Sequence, residues 1–223
     1  MISTPVTVVG AKGLPDQLWS EAYETVLAPS FPADELITEQ TFLSYRGRAD
    51  ASVRFALRAG RPVGVTVLNG DPRTGLLLLS YLAVLASSRD AGIGGALMHE
   101  LSDVGVPVLI EIEDPRVYRE RGFGDPTRRL WFYHRRGVLA LDVPYFQPPV
   151  AAGSPRVEGM ILGVLGVMGD SFPAEPVRAF LQRSLIEAGD TTTDETAVRL
   201  MDAVRSNRVR LLPLVPTFLE EVA

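Results

Sequence analysis

Runs of β-branched and apolar residues alternate along the chain with segments whose apolar positions recur every three or four residues, and this alternation sets out its elements. Pro5–Gly10 reads as a short strand. Pro15 opens a helical pattern with Leu18, Trp19, Ala22, Tyr23 and Val26 on one side, stopped by Pro29 and Pro32. A second helical stretch begins at Asp34, carries Leu36, Ile37, Gln40 and Leu43, and ends near Gly47. Ser52–Arg58 and Pro62–Leu68 read as a hairpin around Ala59-Gly60-Arg61. The turn Asn69–Gly75 then leads into the apolar run Leu76–Ala86, whose two apolar faces predict a central strand.

A glycine-containing loop, Ser87–Gly95, precedes a helix over Ala96–Val104 with Leu97 and Leu101 four apart. Pro107–Ile112 is again strand, and Asp114-Pro115 predicts a short helix that stops at Gly122. Thr127–Arg135 and Val138–Val143 read as two strands around the turn Arg136–Gly137. Phe146–Arg156, FQPPVAAGSPR, reads as the linker of the chain. Beyond it come a strand over Gly159–Met168, two helices and a last strand, Val209–Leu214. The second of those helices is opened by a capping box from Thr192 to Glu195. No repeat and no low-complexity tract interrupts this order, which predicts an α+β chain.

Composition narrows the chemistry. With 223 residues, 46% hydrophobic and 22% charged, the chain is of ordinary globular composition and suits one domain with room for a smaller lobe. A net charge of −5 disfavours sequence-independent nucleic-acid binding, so no nucleic-acid partner is expected. The absence of cysteine excludes disulfides, thiolate metal sites and a cysteine nucleophile, and no metal is expected. The opening MISTPVTVVG lacks the basic start and long apolar core of a secretory leader. The apolar runs Leu76–Ala86 and Met160–Met168 fall short of the ~20 residues of a membrane span. A cytoplasmic protein with no membrane partner is the expectation.

The informative segment is Leu82–Leu97, LAVLASSRDAGIGGAL. A strand ends, a short loop turns, and Gly92, Gly94 and Gly95 precede a helix, so backbone N–H groups and the helix N-terminus can approach a phosphate. A P-loop would need Gly-Lys-Ser/Thr, and the only lysine is Lys12. A dinucleotide fingerprint would need a third glycine where Leu97 stands, although Glu111 or Glu113 falls near the ribose-binding distance. The third reading is Arg-x-x-Gly-x-Gly over Arg89–Gly94, and the plainest is a packed strand–loop–helix whose glycines only turn the chain.

Leu82-Ala83-Val84, a four-residue spacer and Arg89-x-x-Gly92-Ile93-Gly94 together resemble the acyl-CoA loop of the GNAT N-acetyltransferase superfamily. Twenty-nine residues after Arg89, Tyr118 stands in DPRVYRERGF, Asp114–Phe123, which resembles the superfamily's other signature: a tyrosine with Gly-Phe four and five residues on. The resemblance covers roughly Pro5–Val150. It implies an α+β (α/β) fold with a GNAT-like mixed central sheet flanked by helices over residues 1–150. Residues 151–223 would be a C-terminal β-α-α-β extension packed on that core.

The implied activity is direct transfer of an acetyl or other short acyl group from acetyl-CoA, or another acyl-CoA, to the amine of a small molecule. Backbone amides of Arg89, Asp90, Ala91, Gly92, Ile93, Gly94 and Gly95 would hold the pyrophosphate. Backbone groups of Leu82 and Val84 would pair with pantetheine and polarise the thioester carbonyl. Tyr118 would protonate the leaving thiolate. Asp90 and Ala91 stand where many relatives carry a basic residue.

A general base is needed if the amine arrives protonated. The run Leu76–Ala86 holds only Ser80 and Tyr81 as polar residues, whereas Glu111 and Glu113 share one strand face and are the candidates. His134 is a further one; His99, mid-helix, reads as structural or exposed. Arg116, Arg119, Arg121, Arg128, Arg129, Arg135 and Arg136 crowd one stretch, as a solvated face or as a patch for an acyl carrier protein donor. Arg46 and Arg48 could select a carboxylate on the acceptor. The last seventy or so residues could extend the sheet, close the acceptor pocket or form a dimer surface, in a monomer or homodimer. A non-catalytic module that only binds acyl-CoA is the alternative to an enzyme.

Overall fold

In the computed structural model, residues 4–33, 35–70, 75–119, 122, 124–149, 155–189 and 194–214 are described. They form two compact units: Met1–Pro72 with Leu77–Gly105, and Arg73–Leu76 with Val106–Ala223. Among the described residues, nine strands and six α-helices make up the expected α+β class.

The first unit holds strands β1 (Val6–Gly10), β2 (Ala51–Arg58), β3 (Arg61–Asn69) and β4 (Leu77–Val84), paired antiparallel in that order. β2 and β3 form the expected hairpin, turned by Ala59 and Gly60, both at positive φ. Helix α1 (Asp16–Ala22) continues through a wide turn, Tyr23–Leu27, and a tight one, Ala28–Ser30. Trp19, Ala22, Val26 and Leu27 from it pack with Phe42, Phe55 and Val65 in one core. The second helix is shorter than predicted. α2 spans Glu39–Ser44, because the Thr38 side chain caps it by accepting from the Thr41 N–H; Asp34 lies outside the described residues.

β4 alternates buried and half-buried residues, so it has one deeply packed face rather than the two its composition predicts. The β3–β4 register slips between Val67↔Tyr81 and Leu68↔Leu79, leaving Ser80 as an inserted residue whose Oγ accepts from Asn69 Nδ2 at 2.8 Å. Tyr81 is buried and ties down the chain between α1 and α2: its hydroxyl donates to the Glu35 carbonyl and accepts from the Ile37 N–H.

Helix α3 spans Ile93–Ser102 and starts three residues earlier than predicted. Gly92 at φ +76° turns the chain, so Gly94 and Gly95 lie in the first turn instead of the loop. The helix lies close on β3 because position 64 has no side chain. A Cβ there would meet Leu97 Cδ1 at 2.9 Å and Ile93 Cγ2 at 3.0 Å.

The second unit contains β5 (Val108–Glu113), α4 (Pro126–His134), β6 (Leu139–Leu141), β7 (Met160–Leu165), β8 (Ser171–Pro173), α5 (Ala174–Glu187), α6 (Glu195–Ala203) and β9 (Arg208–Pro213). Its strands pair antiparallel in the order β5-β7-β6-β9-β8. The strand expected over Thr127–Arg135 is instead helix α4. Asp125 accepts from the Thr127 N–H, Pro126 occupies the first helical position, and Pro126, Leu130 and Tyr133 are buried at helical spacing.

No helix forms at Asp114-Pro115. The Asp114 carboxylate takes the Arg116 N–H at 2.9 Å together with its guanidinium, and the chain closes only a turn, with the Val117 and Tyr118 N–H groups donating to the Asp114 carbonyl. Phe146, placed in the linker by composition, is fully buried, and Gln147 pairs with Val157 in an antiparallel bridge. Residues 150–154 lie outside the description, as do Thr192 and Phe123. Helix α6 is capped by Asp194, and the box expected from Thr192 lies outside the described residues. The Asp194 carboxylate accepts from the Ala197 N–H at 3.0 Å and pairs with Arg156, which together hold it well below the usual carboxylate range.

Candidate functional site

In the first unit, Leu82 and Val84 lie on the half-buried face of β4. The chain leaves β4 through a hydrogen bond from the Leu85 N–H to the Val63 carbonyl and a tight turn at Ala86–Ser88. Arg89 folds back so that its Nε donates to the Val84 carbonyl at 3.4 Å. Ser88 is buried, and Arg58 of β2 donates to its Oγ at 3.2 Å, which brings a guanidinium against the loop.

Arg89, Asp90, Ala91 and Gly92 are exposed, and Asp90 and Gly92 both have positive φ. The first intrahelical bond of α3 runs from the Ala96 N–H to the Gly92 carbonyl at 3.0 Å. The N–H groups of Ile93, Gly94 and Gly95 therefore have no acceptor within the helix, and they project from its positive end. Ile93 can serve only through its backbone, since its side chain is buried against the β3 face. An anion carrying several acceptor oxygens fits this arrangement.

The second unit holds the titratable candidates. Glu111 and Glu113 are half-buried on the same face of β5, between buried neighbours Ile110, Ile112 and Asp114. Their partners differ. Tyr145, buried, donates through its hydroxyl to Glu111 Oε1, and Gln147 Nε2 donates to Oε2 at 2.9 Å. Glu113 accepts from the Arg129 guanidinium at 2.5 Å. Burial pushes the Tyr145 phenol well above its ordinary value, and the neighbouring Glu111 charge and hydrogen bond push it further. Tyr133, on α4, is raised to about 12 by burial, against the opposing pull of Arg129 and Arg136.

Tyr118, half-buried after the Asp114 turn, donates its hydroxyl to the Glu158 carbonyl at 2.5 Å. His134 packs its ring edge-on to Trp131, and His99 is an exposed residue of α3. The arginine-rich stretch is substantially engaged within the unit: Arg116 with Asp114, Arg129 with Glu113, and Arg136 over the Phe132 ring at 3.6 Å. Arg46 pairs with Asp16 and Arg48 with Asp50. Among the described residues no group of three or more histidine, aspartate and glutamate side chains could hold a metal ion, and no helix is long and apolar enough to cross a membrane.

No family profile and no curated protein matches the sequence. Solved structures do match. A protein described as an acetyltransferase of the GNAT family, from Bacteroides thetaiotaomicron, superposes with a TM-score of 0.64 at 21% identity, covering 84% of this chain and 99% of its own. The chain has the GNAT fold. Ard1 from Thermoplasma volcanium shares it, with a TM-score of 0.53 at 16% identity over 74% of this chain and 99% of its own. The ribosomal-protein-S18-alanine N-acetyltransferase from Escherichia coli gives 0.50 at 17% identity, over 74% and 97%. Within the GNAT fold of this chain, Arg58, Tyr145 and Gln147 carry no signal in the sequence, and Arg129, expected in a solvated face or donor patch, pairs with Glu113. Tyr145 and Gln147 sit in or beside a stretch whose prolines, glycine and small residues read as linker, and only the 147–157 bridge reveals why they are fixed.

Proposed function

We propose that this protein is an acyl-CoA-dependent N-acyltransferase, which moves an acetyl or other short acyl group directly from coenzyme A to the amine of a small molecule. The observation that carries the reading is the Arg89–Gly95 turn, where left-handed Gly92 opens α3 and three backbone N–H groups are left for an anion. In this reading the amides of Arg89 to Gly95 cradle the pyrophosphate, and the backbone of Leu82 and Val84 receives the pantetheine arm. Tyr118 is the acid for the departing thiolate, exchanging its present acceptor, the Glu158 carbonyl, for the sulfur.

Of the two glutamates, Glu111 is the better base. Glu113 is held by a guanidinium, and taking up a proton would forfeit that ion pair. Because Arg129 and Arg136 are engaged internally, the reading favours free acyl-CoA over an acyl carrier protein as donor. A purely acyl-CoA-binding module is the second reading, favoured by the lack of any carboxylate on β4.

Coenzyme A at a hundredfold excess over its dissociation constant should stabilise the fold by about 2.7 kcal/mol, a rise in melting temperature of about 5–10 °C. NAD, whose fingerprint is incomplete, should give little. Equal shifts from NAD and coenzyme A would overturn the loop assignment. Binding of acetyl-CoA without turnover on any of a panel of primary amines would favour the binding module.

A further inference from the structure

We propose that Tyr145 and Gln147 are positioning residues that fix the plane of the Glu111 carboxylate for proton transfer from the acceptor amine, an inference that rests on the acyltransferase reading. Each carboxylate oxygen receives its own neutral donor: the Tyr145 hydroxyl on Oε1 and Gln147 Nε2 on Oε2. The donors come from one short segment that is itself clamped. Gln147 exchanges two backbone hydrogen bonds with Val157, at 2.9 and 3.0 Å. Between the donors, Phe146 is fully buried, and the Arg156 guanidinium stacks over its ring at 4.4 Å while pairing with Asp194 at 2.5 Å.

The two glutamates of β5 are treated differently by this unit. Arg129 neutralises Glu113, as a structural ion pair does. Tyr145 and Gln147 orient Glu111 while adding no positive charge, so they leave its capacity to take up a proton in place. The direction of the Tyr145–Glu111 bond is also fixed, because the buried Tyr145 phenol, raised well above its ordinary value, stays protonated and remains the donor.

Among the described residues, the charged groups near Glu111 include the following. Along β5, Glu113 shares its face and Asp114 pairs with Arg116. α4 contributes Arg129, bound to Glu113, while β7 places Leu162 opposite Glu111 and has no charged residue of its own. In the segment that carries Tyr145, Asp142 pairs with Arg210 of β9.

In the step itself the substrate ammonium gives one proton to a Glu111 oxygen, and the freed nitrogen pair attacks the thioester carbonyl. The C–S bond breaks, the thiolate takes the proton of Tyr118, and the acylated nitrogen returns its second proton to the Tyr118 phenolate, leaving a neutral amide and a thiol. Tyr145 and Gln147 exchange no proton; they hold the receiving carboxylate.

The test is acetyl transfer to a panel of primary amines across pH, followed by thiol release, for Tyr145→Phe, Gln147→Leu and Glu111→Gln. Removing a donor to the charged carboxylate makes protonation easier. The acidic limb of kcat/KM should therefore move up by about one pH unit in Tyr145→Phe, and in the same direction in Gln147→Leu. Plateau kcat should fall about tenfold, with the KM for acetyl-CoA unchanged. Glu111→Gln should lose the acidic limb and about a hundredfold or more in kcat. Wild-type pH profiles in whichever of Tyr145→Phe and Gln147→Leu folds, beside an impaired Glu111→Gln, would overturn the positioning role and leave Glu111 as base. Full activity in Glu111→Gln would remove both roles, and no turnover with any amine would remove the acyltransferase reading itself.

Discussion

Gly64 decides how near α3 can come to β3. A methyl at this position would sit 2.9 Å from Leu97 Cδ1, 3.0 Å from Ile93 Cγ2 and 3.3 Å from Ala56 Cβ, all of them buried. These side chains are packed in the core and must shift to admit a methyl, so Gly64→Ala should destabilise the protein by about 1–3 kcal/mol, the usual cost of overpacking. Denaturant unfolding would measure this. A loss below about half a kcal/mol would mean that α3 shifts freely and that its first turn is not held by β3. Sequence alone could not single out this glycine, because it stands in an apolar strand with nothing local to mark it. Gly92, Gly94 and Gly95 were legible through their cluster after a strand, yet they divide the work unequally: Gly92 has the positive φ, whereas Gly94 and Gly95 are helical. Tyr145 and Gln147 were illegible for the opposite reason. Their surroundings of Pro148, Pro149 and Gly153 match the composition of a linker, and their partner Glu111 lies more than thirty residues away.

At the scale of elements, α3 is the one whose start matters most. Its N-terminus is built by a residue that must be left-handed, so Gly92→Val should lose both stability and affinity for coenzyme A. The conformational strain alone is worth about 1–2 kcal/mol. Gly94→Val has no such strain and should keep most of the stability while blocking close approach of an anion to the backbone. Thermal melts with and without coenzyme A would separate the two. Equal stability loss in both variants would contradict the distinct conformations of these glycines. The hydrophobic pattern located eight of the nine strands near their true places, but it misassigned α4. The sequence Pro126-Thr-Arg-Arg-Leu-Trp-Phe-Tyr-His134 is rich in aromatic residues that suit a strand, while the deciding signals are local and small: an Asp125 cap and a proline that is tolerated only in a first turn. Asp114-Pro115 carries the same pair of residues and the same bond from the N–H two residues on, yet closes only a turn, with the Arg116 guanidinium also on the carboxylate.

At the scale of the whole molecule, the chain order of the two units contrasts. In the first, β2 and β3 are joined by a two-residue turn and β4 follows directly on β3. In the second, β5 is flanked by a strand that arrives about fifty residues later, since β7 pairs with both β5 and β6, and β9 closes on β6 later still. This interleaving is why a boundary expected near residue 150 from composition says little about how the strands assemble. Pairings of such long range form slowly. Pulsed hydrogen exchange during refolding should therefore find amides of β2 and β3 protected before those of β5 and β6, and simultaneous protection would show that both units close in one step. The same interleaving has a meaning for synthesis in the cell. A ribosome adding about 5–20 residues per second leaves a window of about 3–10 s in which Val108–Ile112 has been made and β7 has not. During that interval an apolar edge with unsatisfied backbone groups is open to other chains, so yield on expression should depend on translation speed and chaperone supply more than on the stability of the finished fold.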